Sequence, residues 1–310
     1  MAIALLTAAA FIGMYVGLQR DPTPRNIPVA VVGEDLAGQV SAVLGDAVSV
    51  TTVSDTAAGG NLIAGRYAVA IVYRTSQTAL SLEVAGATGL STVGALENLV
   101  GVYGRSSGSE VTTTDIKPLI RYDSRGVVGF YVAFGVSLAS FILAQTLPTS
   151  TSVVHMRHRL IATVVFAAVV GSMASLIAGP ILGALPGSIA SLSITLALLS
   201  AATALATMAS SAVFGAMGVP IATLLLITIG NSTSGATVGP HLLPDAARLA
   251  SELLPPGAAI SSIIDVSYFN GSARWAGWAV LITWIVAAAG LIVVENRRRT
   301  GTKPRDRAAS

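Results

Sequence analysis

Leu160 to Pro244 reads LIATVVFAAVVGSMASLIAGPILGALPGSIASLSITLALLSAATALATMASSAVFGAMGVPIATLLLITIGNSTSGATVGPHLLP, without one Asp, Glu, Lys or Arg. Arg159 and Asp245 bracket the stretch, and only His241 inside it titrates. A bilayer selects such a sequence, because an ionised group in hydrocarbon costs several kcal/mol and every backbone polar group there must be satisfied within the chain. Working outward, the whole chain of 310 residues is 53% hydrophobic and 11% charged, against about 25% charged in a soluble domain. The reading is an integral membrane protein with several spans.

A span takes roughly 17–25 mostly apolar residues. Six stretches fit: Ala2–Leu18, Val127–Leu147, Leu160–Leu182, Ser188–Met208, Ala212–Ile229 and Trp275–Val294. The first has neither the basic start nor the small-x-small cleavage site of a signal peptide, so it reads as an uncleaved anchor, with a true start upstream of Met1 expected. Arg157 and Arg159, beside His155 and His158, fall in one short loop, and the tail from residue 295 to 310 carries Arg297, Arg298, Arg299, Lys303, Arg305 and Arg307. Six spans put loop and tail on one side, and the positive-inside rule makes it the cytoplasm, with both termini there. The expected layout is a first span at 1–18, an extracytoplasmic domain at 19–126, a five-span region at 127–294 and a basic cytoplasmic tail. The expected location is a bacterial cell membrane.

The 19–126 segment holds eight basic and ten acidic residues and reads as a small α/β domain. Strands are expected at Ile27–Val32, Ala47–Val53, Tyr67–Tyr73 and Ala79–Ala85, with helices at Asp35–Leu44, Thr56–Ala64 and Leu90–Tyr103. Asp35 reads as a helix cap rather than an acid catalyst. The fold class is thus an all-α polytopic membrane protein of six transmembrane helices, with an extracytoplasmic α/β domain inserted between the first two. Asn231–Arg274 is polar at its start and broken by Pro240, Pro244, Pro255 and Pro256, and its apolar run Ala258–Val266 is too short to cross. A re-entrant or interfacial hairpin at the outer face is expected there.

Chemistry-bearing motifs are few. The chain has no cysteine, which removes disulfides, thiolate metal sites and cysteine nucleophiles. His155-x-x-His158 is half a metal site at most, and no Walker A, H-E-x-x-H or G-x-S-x-G pattern occurs. No catalytic residue, metal or cofactor is expected, and the chain is expected to be no enzyme. A net charge of +3, mostly in one tail, gives no reason to expect nucleic-acid binding. Gly13-x-x-x-Gly17 permits close helix approach, and Pro220 would kink the fifth span. With no Asp or Glu in any span, a proton-driven transporter lacks its relay; that reading would revive if Asp265 or Glu295 were buried in a helix bundle.

The motifs Ile229-Gly230-Asn231-Ser232-Thr233-Ser234-Gly235, Leu242-Leu243-Pro244, Leu253-Leu254-Pro255-Pro256-Gly257-Ala258 and Tyr268-Phe269-Asn270-Gly271, with the strand Ile27–Val32 and the span order, resemble ABC-2-type export permeases. More narrowly they resemble the YhgE/Pip-like membrane proteins of actinobacteria. The resemblance implies a permease half that dimerises, with itself or a related half, and couples to an ABC-type ATPase on another chain. The loop Thr149–Arg159, with His155, Arg157, His158 and Arg159, would dock that ATPase. The hairpin with Asn231, Pro244, Pro255, Pro256 and Gly257 would close the outer exit. The chain departs from better-studied permeases in lacking an amphipathic helix ahead of the first span, so either the start is truncated or docking through that element is absent. The cargo would be apolar or amphipathic, because an uncharged path offers no counter-ion for a fixed charge; membrane lipid is an expected partner and nucleic acid is not. The competing reading is a receptor or envelope-assembly scaffold that works through its outside domain and transports nothing; an ATPase gene next door would favour the exporter.

Overall fold

The structure is a computed structural model that describes residues 2–146 and 156–301. It is mostly helical, with one five-stranded sheet whose strands all fall between the first and fifth helices. After α1 (Ala2–Arg20) come β1 (Ile27–Val32), α2 (Glu34–Leu44), β2 (Val48–Val53), α3 (Thr56–Ala64), β3 (Ala70–Ser76), β4 (Ala79–Val84), α4 (Leu90–Ser107) and β5 (Glu110–Asp115). The strand order is β2-β1-β3-β4-β5; β1 runs parallel to β2 and β3, the β3–β4 pair is antiparallel, and β4 runs parallel to β5.

Period-two burial explains the layers. On β1, Ile27, Val29 and Val31 join Leu36 and Val40 of α2 and Leu96 and Val100 of α4 on one face. Ala30 points to the other face, with Ile71 of β3 and Ile63 of α3. The crossovers β1–α2–β2 and β2–α3–β3 travel in opposite directions along the sheet, so right-handed connections place α2 and α3 on opposite faces. Two local readings change. Asp35 is not the cap of α2: the helix starts one residue earlier and Gly33, at φ 87°, holds the cap position with no side-chain bond. The cap instead appears on α3, where the Ala58 N–H donates to Asp55 Oδ1 at 2.8 Å. Strand β5 was not expected, because its sequence EVTTTD is exposed along nearly its whole length and carries no apolar alternation.

The helical layer consists of α5 (Val128–Thr146), α6 (Met156–Leu176), α7 (Ile189–Phe214), the short α8 (Gly218–Ala222) and α9 (Gly230–Ser232), α10 (Asp245–Leu253), α11 (Pro255–Tyr268) and α12 (Arg274–Gly301). Helix α7 is central and packs against α5, α6, α11 and α12. Its small residues admit close neighbours: a Cβ on Gly171 of α6 would overlap the α7 backbone at Ser193 and Ala197, the close approach that membrane helices favour. Hydroxyls tie the layer together, with Ser140 donating to Ser200 Oγ at 2.7 Å and Trp278 Nε1 to Thr195 Oγ1 at 2.8 Å. By contrast, nothing lies within 4 Å of a Cβ built on Gly13 or Gly17, so that spacing makes no close contact among the described residues.

Four helical stretches are long and apolar enough to cross a membrane: Val128–Thr146, Arg157–Ile181, Ile189–Ser232 and Arg274–Arg298. They point to membrane insertion. Leu5–Arg20 is a shorter apolar helix. The fourth and fifth expected spans form the single helical stretch Ile189–Ser232, with no loop between them. Its direction nevertheless reverses at Gly215 (φ 57°), where Ser210 Oγ donates to the Gly218 carbonyl at 2.8 Å. Residues eight apart on a straight helix are about 12 Å apart along the axis, which excludes such a bond. Pro220 lacks the N–H for normal pairing, and the next residues, Thr223–Ile229, wind as a π-helix against which α1 packs.

Candidate cleft between the sheet and the helical layer

The strand directions fix where a site can lie. Because β1 follows α1 and β4 and β5 run antiparallel to β1, the chain enters and leaves the sheet at the end nearest the helical layer. Segment 231–274 fills this junction. Val238, Leu242, Leu243 and Ala247 enter the core on the α2/α4 face, and Phe269 enters the core on the α3 face. Helix α11 is buried on almost every side, against α5, α7 and α12. The apolar content that looked high for a loop is thus taken up by the sheet and the helices.

Polar bonds fasten the joint. The Gly239 N–H donates to Ser91 Oγ at 3.0 Å, the Arg25 N–H to the His241 carbonyl at 2.8 Å, and Ser272 Oγ to the Ala64 carbonyl at 2.9 Å. Asp265, near the end of α11, is fully buried. Its Oδ2 accepts the Ala273 N–H at 3.0 Å and its Oδ1 the Ser272 hydroxyl at 3.3 Å, closing the turn into α12. The condition that would revive a proton relay is therefore half met, since this carboxylate is buried. Its oxygens, however, hold a turn, and the helices from α6 to α9 carry no acid or lysine to pass a proton on.

Arg66, at φ 62° just after α3, reaches from the sheet side to α11: Nη1 donates to the Ser261 carbonyl at 2.7 Å and to Ser261 Oγ at 3.2 Å. The guanidinium also lies 5.7 Å from the centre of the Phe269 ring. Burial pulls its pKa down, and the charge of Asp265 works against that shift. Beside this bridge lies a cleft of about 420 Å³. Arg66 and Thr88 line it from the sheet side, Ser234, Gly235, Pro240, Ser251, Gly257 and Ser261 among others from segment 231–274, and Ala276, Gly277 and Val280 from α12. Two glycines shape its wall: a Cβ on Gly257 would overlap the Ser251 carbonyl, and one on Gly277 would overlap Ser262 Oγ and the Ala258 carbonyl.

The residues singled out in the sequence divide into three groups. Asn231 is buried, and its Nδ2 donates to the carbonyls of Leu226 and Ile227 at 3.1 and 3.0 Å, two acceptors near the end of the π-helix. Its Oδ1 is buried without a partner among the described residues. Pro255 and Pro256 open α11, where a missing N–H costs nothing. Pro256 packs against Gly230, whose Cβ would come within 2.9 Å of it, and Gly257 lines the cleft. Pro244 stands apart, exposed at the start of α10 near the Arg25–Asp245 ion pair of 3.6 Å. The third group is at the other end of the layer. His155 and most of the Thr149–Arg159 loop lie outside the described residues, as do Lys303, Arg305 and Arg307. Arg157 and His158 are exposed on the first turn of α6 and Arg159 is half-buried. Leu160 shares a cluster with Ala288 and Ile292, so this basic turn lies beside the end of α12 that carries Arg297 and Arg298. No group of three metal-ligating side chains occurs among the described residues.

Arg66, Ser261 and Asp265 were not anticipated as one site. The available signal was a lone acid in the apolar run 258–266 and a lone cation after Gly65, but nothing in the sequence pairs two positions so far apart. A second concavity, an open crevice of about 700 Å³, lies at the opposite end of the sheet, where β1 and β3 end. Gly33, Glu34, Asp35, Asp55 and Arg74 line it. Comparison with protein-family models, curated proteins and solved structures finds no match.

Proposed function

We propose that the chain is the membrane-spanning subunit of an ATP-driven exporter of the ABC-2 type, acting on an apolar or amphipathic substrate while a separate ABC-type ATPase hydrolyses ATP. The single observation that carries the reading is the position of the cleft. It sits where the sheet, segment 231–274 and the first turns of α12 meet, above helices whose facing groups are hydroxyls and alkyl chains. The resemblance to ABC-2 permeases and YhgE/Pip-like proteins supplies the direction of transport and the partner. In this reading α1, α5, α6, the two arms of Ile189–Ser232 and α12 are six crossings. The sheet lies outside as an inserted domain, and both termini lie in the cytoplasm of a bacterial cell membrane. Arg157, His158 and Arg159, with His155, dock the ATPase, and a second permease half completes the path.

The test is purification of the tagged protein from native membranes in mild detergent, with co-purifying chains identified by mass spectrometry. A stoichiometric ATPase, lost on Arg157→Glu at an exposed position, is the expected result. Recovery of the chain alone or with envelope-assembly proteins overturns the reading. One observation favours the receptor or scaffold alternative: the crevice at the ends of β1 and β3 lies at the topological switch point, where open α/β sheets bind ligands. That reading gains if removal of the ATPase gene leaves the phenotype of this chain's deletion unchanged.

A further inference from the structure

From the geometry of the cleft we infer that it holds the anionic head group, phosphate or carboxylate, of an amphiphile on Arg66, with the alkyl tail along α12. The inference rests on the exporter reading for its purpose and deepens it by naming the substrate class. Among the described residues, Arg66 is the one cation lining the cleft. Among them it forms no ion pair, and Nη1 is its only nitrogen hydrogen-bonded to protein. Its left-handed backbone and the two bonds to Ser261 aim one edge of the guanidinium and leave Nε and Nη2 unspent. A half-buried guanidinium with free donors in fixed geometry is an anion receptor, since charge-assisted bonds strengthen as water is excluded.

The acidic groups nearby do not fill that role. Asp265 acts on Arg66 only through space, its oxygens being bonded to Ala273 and Ser272, so it leaves the guanidinium donors free. Glu252, the one carboxylate among the described lining residues, is exposed and pairs with Arg248 at 3.3 Å. The wall opposite is apolar, from Ile260, Ile264 and Val280. From Val280 the surface continues down α12 over Thr283 and Ala287, both exposed and one or two helical turns away. Trp284 flanks this stripe, pinned by its Nε1 to the Leu253 carbonyl at 2.8 Å. A head in the cleft therefore has a continuous low-profile track for its chain along a helix long and apolar enough to cross a membrane.

The experiment uses the purified full chain in nanodiscs without any ATPase, so its outcome is independent of the co-purification test. Pyrene-labelled phosphatidylglycerol and phosphatidylcholine are the probes, with inorganic phosphate as competitor. Expected is about tenfold tighter binding of the anionic lipid, roughly one charge-assisted pair's worth, reduced to parity in Arg66→Gln and partly kept in Arg66→Lys. Thr283→Trp, which blocks the track at an exposed position and leaves the guanidinium in place, should weaken the anionic lipid without changing the melting midpoint. Equal binding of the two lipids by the unaltered chain, or an undiminished preference in Arg66→Gln, overturns the inference. Displacement of the lipid by millimolar phosphate also overturns it, by reducing the site to one for a free anion.

Discussion

The sheet and segment 231–274 sit side by side and share a hydrophobic core, yet they obtain their order from different sources. Strands β1 to β4 are specified largely by their neighbours along the chain: short apolar or alternating runs, a tight β3–β4 hairpin, and the helices α2 and α3 that lead directly to the next strand. Segment 231–274 has no ladder. Leu242 and Leu243 are ordered by β1 and α4, Phe269 by α3, and α11 by α5 and α7, which are distant in sequence, as well as by α12, which follows it. Local order survives the loss of one contact, whereas borrowed order does not. Lesions in the segment should therefore separate the two layers, and lesions in the sheet should not.

Asp265→Ala provides the largest break. It strips a buried carboxylate from the Ala273 N–H and the Ser272 hydroxyl and should cost about 3 kcal/mol, read as a lowered thermal midpoint in detergent. Asp265→Asn, which still accepts hydrogen bonds, should lose less. If both variants melt as the parent does, the turn does not depend on the carboxylate.

Leu82→Ala and Leu243→Ala sharpen the same contrast. Both side chains are buried in one core cluster, the first on β4 and the second on the segment. Each should cost about 2–5 kcal/mol. Only Leu243→Ala should also expose the Arg25–His241 joint to limited proteolysis. A cost under about 1 kcal/mol at Leu243 would make the segment peripheral to the sheet.

His241 gives a gentler probe through pH. Burial, and then the positive charge of Arg248, push its imidazole below the ordinary 6.5. The unfolded chain thus binds the proton first, so the stability linked to His241 is whole above pH 6.5 and lost as pH falls through the depressed folded value. The thermal midpoint should fall on acidification below pH 6.5 more steeply in the parent than in His241→Gln. Parallel curves would mean that the imidazole is solvated in both states. The smallest effect is expected at Asp55. Hydrogen bonds from Ala58 and then Ser54 lower its pKa, so its contribution holds above the normal carboxylate range and fades as pH falls through the lowered value. Asp55→Ala should fray only α3, seen as faster amide exchange at Ala58.

This contrast also explains what the sequence could disclose. Ile27–Val32 and Thr56–Ala64 were legible to the residue, because a short β-branched apolar run and a stretch of helical character are local signals. The cap itself was misplaced onto Asp35, since an acid in the first turn of α2 looks like one until Gly33 takes the position. Strand β5 was invisible because its side chains are nearly all exposed; it pairs with β4 and sends only Val111 toward the core. The reversal at Gly215 was legible as two apolar runs, but the tightness of the turn, which leaves no loop between the two arms, was not. Gly257, which lines the cleft, was read with Pro256 as part of an exit hairpin rather than as the wall of a cleft. Arg66 was not legible, because its partner Ser261 is 195 positions away.

The most direct test of the central claim, that segment 231–274 clamps the sheet onto the helical layer and so forms the cleft, exploits the absence of native cysteine. Ala64→Cys and Ser272→Cys place thiols on the two residues that the bond of 2.9 Å from Ser272 Oγ to the Ala64 carbonyl joins. In native membranes the double variant should close an intrachain crosslink under mild oxidation, detected by mass spectrometry, while either single variant remains monomeric and reactive to maleimide. If both cysteines label freely and no crosslink forms, the sheet is not seated on the segment and the cleft does not exist as described.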